Sequence, residues 1–195
     1  MYKETDYKSL NVNKKLRWQA IAKVIVQHNL QTLAEIGVSR GDNARGVLKR
    51  LAEEKYQIKK YYLIDIPYPT QIQFYGKKEA PKYRFLRLGL GDCTYLNKGS
   101  IESAKLIADN ELDFVWIDAD TSTENAFRAD IEAYLPKVKN DGVIAGRYFS
   151  IKGEKFPTPH IREVVVDIFG VHNINLQLLE EQNSGRPDYM WWCHV

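Results

Sequence analysis

The sequence predicts an α/β protein: one mostly parallel sheet of seven strands, its last strand antiparallel, with helices on both faces. Three observations carry this. Short apolar runs alternate with amphipathic stretches along nearly all 195 residues, the order of strand–helix–strand units. Two of these runs, residues 31–36 and 60–65, carry an acid near their C-terminal ends, Glu35 and Asp65, about one such unit apart. Between them a turn with two glycines, Gly37 and Gly41, leads directly into a helical pattern.

The elements follow in order. Residues 1–12 are polar and read as an extended arm. Residues 14–28 read as an amphipathic helix, because Leu16, Ala20, Ile21, Val24 and Ile25 recur at helical spacing. Residues 31–36 form the first strand and 43–55 the first crossover helix, with Asp42 or Asn43 as its N-cap. The second strand is 60–65. The stretch 66–82 is interrupted by Pro67, Pro69 and Pro81 and punctuated by Tyr68, Phe74 and Tyr75. It is either a lid or a short helix that packs its aromatics inward.

Residues 83–88 alternate as a third strand, and 100–108 as a helix. Residues 112–118 are apolar enough for a central strand covered on both faces. A helix over 123–135 follows, with Ala126, Phe127, Ile131 and Leu135 inward. Asn140-Asp141-Gly142 turns into a fifth strand, 143–145, which ends at Gly146-Arg147-Tyr148-Phe149. After a loop over 150–158, residues 160–169 read as a helix. The segments 173–179 and 189–194, joined by the turn at 185–188, read as an antiparallel pair.

Composition bounds the rest. A hydrophobic content of 44% and an aromatic content of 12% indicate one folded domain over residues 1–195. A net charge of +3 is too small to imply nucleic acid. Cys93 and Cys193 are far apart, in no metal or redox spacing. They read as free thiols in a reducing, cytoplasmic setting. No leader is visible at the start, and no run is long enough to span a membrane.

The first glycine turn is where chemistry begins. Strand, turn and helix N-terminus together form a cradle for a nucleoside-containing ligand. A dinucleotide fingerprint would need glycine where Ser39 and Asp42 stand, so that class is disfavoured. No Lys-Ser/Thr follows the turn, so a P-loop fails as well. Asp65 ends the next strand on the same rim, where one carboxylate can accept from both hydroxyls of a ribose. Asp92, after Gly89-Leu90-Gly91, is the candidate acceptor for an adenine amino group.

Three blocks carry a family resemblance: Leu112-Asp113-Phe114-Val115-Trp116-Ile117-Asp118-Ala119-Asp120, then Arg128 to Pro136, then Asn140-Asp141-Gly142-Val143-Ile144-Ala145-Gly146. They resemble class I S-adenosylmethionine (SAM)-dependent methyltransferases of family 24, whose fourth strand ends "IDGDHSYE" and whose fifth reads "GGVIAGHDY". The Glu35-x-Gly37-x-x-x-Gly41 turn and the Trp191-Trp192 ending fit the same group. That group includes O-methyltransferases acting on sugars. The resemblance implies a Rossmann-like class I methyltransferase fold, with SAM as donor and S-adenosylhomocysteine (SAH) as product. Glu35, Gly37 and Gly41 would hold the methionine part, with Ser39 and Asn43 also in the cofactor site. Asp65 would hold the ribose, with Ile66 also in the cofactor site, Asp92 and Cys93 would sit near adenine, and Asp118 and Asp120 would lie at the reacting end.

Departures from the family fall on the acceptor side. Thr121 replaces the histidine after the fourth strand, and Arg147-Tyr148 replaces a His-Asp pair. A Mg²⁺ site needs oxygen ligands from two strand ends. Asp118 and Asp120 could supply some, but Arg147 puts a cation where the second ligand is expected, so no metal is expected. Arg147 reads either as an acceptor-side residue or as an ion-pair partner of Asp118 or Asp120. A hydroxyl acceptor needs a base. The candidates are Asp120 first, then Asp118, His160 and Tyr148. The reading is therefore a SAM-dependent O-methyltransferase of a small molecule or glycan, a sugar in first place. A Mg²⁺-dependent catechol-type enzyme and a non-catalytic SAM-binding protein are the alternatives, and self-association into a homo-oligomer is left open.

Overall fold

The computed structural model describes residues 6–66, 93–119, 121–151, 159–180 and 188–195. Among the described residues, eight strands form one sheet: β1 (Ser9–Lys15), β2 (Thr32–Ile36), β3 (Lys60–Asp65), β4 (Cys93–Asn97), β5 (Leu112–Ile117), β6 (Val138–Phe149), β7 (Asn175–Leu179) and β8 (Asp188–His194). Their order is β1-β7-β8-β6-β5-β2-β3-β4. β8 runs antiparallel to β6 and β7, and all other described pairings are parallel. The helices are α1 (Arg17–Gln27), α2 (Asp42–Glu53), α3 (Ser100–Ala104), α4 (Glu124–Tyr134) and α5 (Pro159–Phe169).

Both faces are covered, and the alternation of β5 shows how. Phe114 and Trp116 join a core with Ile21 and Ile25 of α1 and Val47 and Leu51 of α2. Val115 and Ile117 point the other way, to Ile107, Phe127 and Ile131 beyond α3 and in α4, and to Ile161 and Val165 of α5. A strand buried on both faces must be apolar at every position, hence the unbroken run of 112–117. A period of two then sends alternate residues to opposite cores. Each fully buried large side chain contributes about 1.5–3 kcal/mol.

Three differences from the sequence reading have physical causes. The eighth strand is the N-terminal segment, read as an arm with a helix starting at 14. It pairs parallel with β7, and Ser9 Oγ donates to Asn175 Oδ1 at 2.9 Å. Gln177 Nε2 donates to the Asn13 carbonyl at 2.5 Å. Buried amides on β7 therefore hold a polar strand that shows no apolar alternation. Second, α2 begins at Asp42 with Gly41 as its N-cap at φ 77°, so neither Asp42 nor Asn43 is the cap. Third, the strand beside β3 among the described residues is 93–97. The strand read at 83–88 lies outside the described residues, as do Tyr68, Phe74, Tyr75, Asp92, Asp120 and the loop over 152–158. No described helix is long and apolar enough to cross a membrane.

Candidate active site

The site forms where β2, β3 and β5 end side by side. Ile36 is in register with Ile64 and with Ile117, so Gly37, Asp65 and Asp118 emerge on one rim. Gly37 has φ +88°, and a Cβ there would stand 2.3 Å from the carbonyl oxygen of Asp118. Only glycine lets the turn lie against the end of β5. The Gly37 amide donates to the Ile64 carbonyl at 2.9 Å.

Asp65 ties this turn to β3. The Ser39 amide donates to its Oδ2, and the Ile66 amide to its Oδ1 at 2.7 Å. Ser39 itself stands at φ 49°, a conformation uncommon outside glycine. Each carboxylate oxygen has a second lone pair. Asp65 lines a cavity of about 460 Å³ together with Gly37, Ile66 and Asp118, and Gly99 and Ser100 close it from the β4 side.

Cys93 is therefore misplaced in the sequence reading. It is the first residue of β4, in register with Tyr61, while Asn97 pairs with Asp65 at the rim. Four residues of strand put Cys93 roughly 13 Å from that rim. The rim segment after β4 is Lys98-Gly99, leading into Ser100 at the start of α3, and sequence reasoning missed it. The signal was present: a glycine–serine pair directly before a helical pattern.

A second cavity, about 250 Å³, shares Gly37, Ser39 and Asp118 and adds Glu35, Asn43, Arg17 and Arg40. Glu35 is only 1% exposed. Tyr61 Oη donates to its Oε2 at 2.8 Å, and Asn43 Nδ2 donates to the same oxygen at 3.2 Å. Burial pushes the Glu35 carboxyl up to about 7, against the opposing pull of Tyr61 and the Arg17 charge. Asn43 Oδ1 is buried with no hydrogen-bond partner among the described residues.

The other side of Asp118 is a chain of charges. Arg17 Nη1 donates to Asp118 Oδ2 at 2.7 Å, and Arg147 Nη1 lies 4.0 Å from the same oxygen. Burial pushes the Asp118 carboxyl up to about 6, opposed by Arg147 and Arg17. Arg147 bonds closely to a different residue: its Nε and Nη2 reach Asp188 Oδ2 at 3.1 and 2.8 Å. Asp188 Oδ1 accepts from the Tyr148 amide at 2.9 Å. The Arg147 guanidinium also covers the Tyr148 ring, 4.0 Å from its centroid. Tyr148 stands at φ 61°, where the register of β6 against β8 shifts between Gly146 and Phe149. Such a bulge re-aims side chains at a rim.

The expected pairing of Arg147 with Asp118 is present at 4.0 Å, Asp120 lies outside the described residues, and the closer partner is Asp188, a residue of the turn in the sequence reading. Arg17 was missed entirely, because a basic residue opening an amphipathic helix looks like any solvated one. His160 Nε2 donates to the Thr121 carbonyl at 3.0 Å, which ties α5 to the segment after β5. Among the described residues, no three His, Cys, Asp or Glu side chains gather as a metal would require.

Three solved structures share this fold at low sequence identity. An O-methyltransferase from Bacillus cereus in complex with SAH is 14% identical, with a TM-score of 0.64 over 91% of this chain and 80% of that one. The 1,6-didemethyltoxoflavin-N1-methyltransferase of Burkholderia thailandensis, with its substrate and SAH bound, is 12% identical, with a TM-score of 0.61 over 91% and 77%. The N-methyltransferase NodS from Bradyrhizobium japonicum WM9 is 9% identical, with a TM-score of 0.58 over 90% and 94%. These likenesses concern the fold, which evidently serves both oxygen and nitrogen acceptors. Among curated proteins, none matches the chain significantly. The family model described as "Methyltransferase domain" matches residues 34–146, more than half of the chain, from within β2 to the end of the parallel run in β6. The chain belongs to that family and is a SAM-dependent methyltransferase.

Proposed function

We propose that the chain transfers the methyl group to a hydroxyl, with a sugar or glycan hydroxyl as the preferred acceptor. The observation that supports a hydroxyl is Asp118. It stands on the rim beside the glycine turn, with its carboxyl near 6, and is therefore mostly ionised at neutral pH. An alcohol is a poor nucleophile until its proton is taken, and a positioned carboxylate can take it, for roughly a 10²–10⁴-fold gain. Asp120, two residues on, is the other candidate for this role. A sugar is favoured by the sequence blocks shared with the sugar-methylating group and by the mixed guanidinium, carboxylate and aromatic surroundings at Arg147, Asp188 and Tyr148.

The residues on the rim divide the donor between them. Asp65 offers two oxygens to the ribose hydroxyls, next to Ile66. Glu35 and the buried Asn43 Oδ1 accept from the ammonium of the methionine part, beside the Gly37–Gly41 turn and Ser39. Gly99 and Ser100 wall the adenine side. Bound SAM supplies a methyl group on a cationic sulfur, which departs as a neutral thioether. The chain's own work is to hold that donor, to line up the acceptor and to accept its proton; no divalent metal is called for in this scheme.

Calorimetry with SAH tests the donor half. Binding is expected, and Asp65→Ala should weaken it by about 100-fold, since charged hydrogen bonds of about 1.5–3 kcal/mol are lost. Radiolabelled methyl transfer onto a panel of monosaccharides and catechols, with and without chelator, tests the acceptor half. Chelator-resistant sugar methylation is expected. Catechol methylation that requires Mg²⁺ would replace the sugar reading, and SAH binding without any turnover would make the chain a non-catalytic binder.

A further inference from the structure

A separate cleft of about 710 Å³ lies at the opposite end of the sheet, between α1 and strands β1, β7 and β8. It opens where the parallel strands begin: His194 is in register with Val143, three residues before Gly146 at the rim. None of its lining residues lines either rim cavity.

Its chemistry is one-sided. Lys8, Lys23, His28 and His194 line it, and among the described residues no Asp or Glu does. The His28 and His194 rings meet edge to face, with centroids 4.7 Å apart. Burial, then the His194 ring, then the Lys8 charge hold His28 below the usual imidazole range, as a positive cleft requires. Leu10, Val24 and the Trp192 indole add an apolar wall. Gln177 spends its amide protons on the Asn13 and Leu178 carbonyls, and Asn175 Nδ2 donates to the Trp192 carbonyl at 3.3 Å, so both side chains are tied into the floor.

We propose that this cleft binds a small phosphate monoester carried on a ring, either a sugar phosphate or a nucleoside monophosphate. Two lysines and two histidines lining one concavity suit a doubly charged oxyanion, and a cleft of one sign concentrates the field. The volume is that of a drug-sized ligand, far beyond a bare phosphate. The indole and aliphatic wall offers a flat apolar face for the ring. Lys8 and Lys23 are exposed, so their side chains can turn to the anion without any rearrangement of the core.

The test is titration calorimetry with SAH present at saturation, which removes the rim cavities from competition. Glucose 6-phosphate, adenosine 5′-monophosphate and inorganic phosphate are the three titrants. One of the two organic phosphates is expected to bind at least about tenfold more tightly than inorganic phosphate, and which one it is identifies the ring. The double variant Lys8→Glu, Lys23→Glu should weaken that binding by at least about tenfold, the effect of about 1.4 kcal/mol. SAH affinity and the circular dichroism spectrum should stay unchanged, which shows that the variant is folded. Absence of binding by both organic phosphates at millimolar concentration would overturn the proposal. So would binding that is indifferent to the double variant, or inorganic phosphate binding as tightly as either ester.

Discussion

The two sides of Asp118 are built by different means. On the donor side, a glycine with no room for a Cβ and one carboxylate that catches two backbone amides fix the Gly37 turn. These partners come from adjacent strand ends of one compact unit. On the acceptor side, four charged side chains from four places in the chain form a line: Arg17, Asp118, Arg147 and Asp188. Their attractions have to offset the desolvation of each member. The donor side is a backbone device and the acceptor side an electrostatic one, so the two should break differently.

The largest expected break is Asp188→Ala. Arg147 is 5% exposed, and Asp188→Ala strips two close hydrogen bonds from this buried cation, while Asp118 stands farther off at 4.0 Å. Loss of one member of a buried pair costs about 3–5 kcal/mol. Thermal unfolding should show a fall in Tm of roughly 10 °C. SAH affinity, set on the other side, should hold within a few-fold by calorimetry. A SAH loss as large as that of Asp65→Ala would show that the two sides are one unit.

Next in size is Glu35→Gln, which probes the donor side through pH. The Glu35 carboxyl is raised from 4.5 to about 7 on folding. The folded protein therefore holds this proton more tightly than the unfolded chain. Its contribution is fullest below pH 4.5 and is lost as pH rises through 7, about 3 kcal/mol in all. Gln does not titrate and keeps an oxygen for Tyr61 and Asn43 Nδ2. Urea unfolding from pH 5 to pH 8 should show the wild type losing stability relative to the variant. SAH binding should move oppositely: in the wild type it strengthens as pH climbs through 7, and in the variant it is weaker and flat.

This contrast also explains what the sequence could and could not disclose. Glu35, Gly37 and Asp65 were readable because their roles depend on local order: a strand, a turn, then another strand a fixed distance on. The antiparallel end of the sheet was readable from two β-rich runs with a turn between them. Cys93 was misread because the strand beside β3 was placed ten residues early, which moved the rim with it. Arg17 and Asp188 were invisible for a deeper reason. Arg17 meets Asp118 across 101 residues and Arg147 meets Asp188 across 41, and no periodicity records a pairing made only by tertiary structure. β1 escaped for the same reason, since amides on β7 hold it in place of an apolar stripe.

The smallest effect, and the most diagnostic for chemistry, belongs to Arg17→Gln. The Arg17–Asp118 pair is partly open to solvent, with side chains 19% and 15% exposed. Its loss should therefore cost only about 1 kcal/mol in urea unfolding. Its effect on Asp118 is larger in consequence. Burial pushes that carboxyl up and Arg17 holds it down, so removing the guanidinium lets burial carry it further up. A base works only when ionised. The acidic limb of the kcat/KM profile for methyl transfer should then move to higher pH. Methyl transfer whose profile keeps its acidic limb in place while stability falls by the expected amount would remove Asp118 from the role of base. Arg17 would then be a strut between α1 and β5, and Asp120 the carboxylate to test.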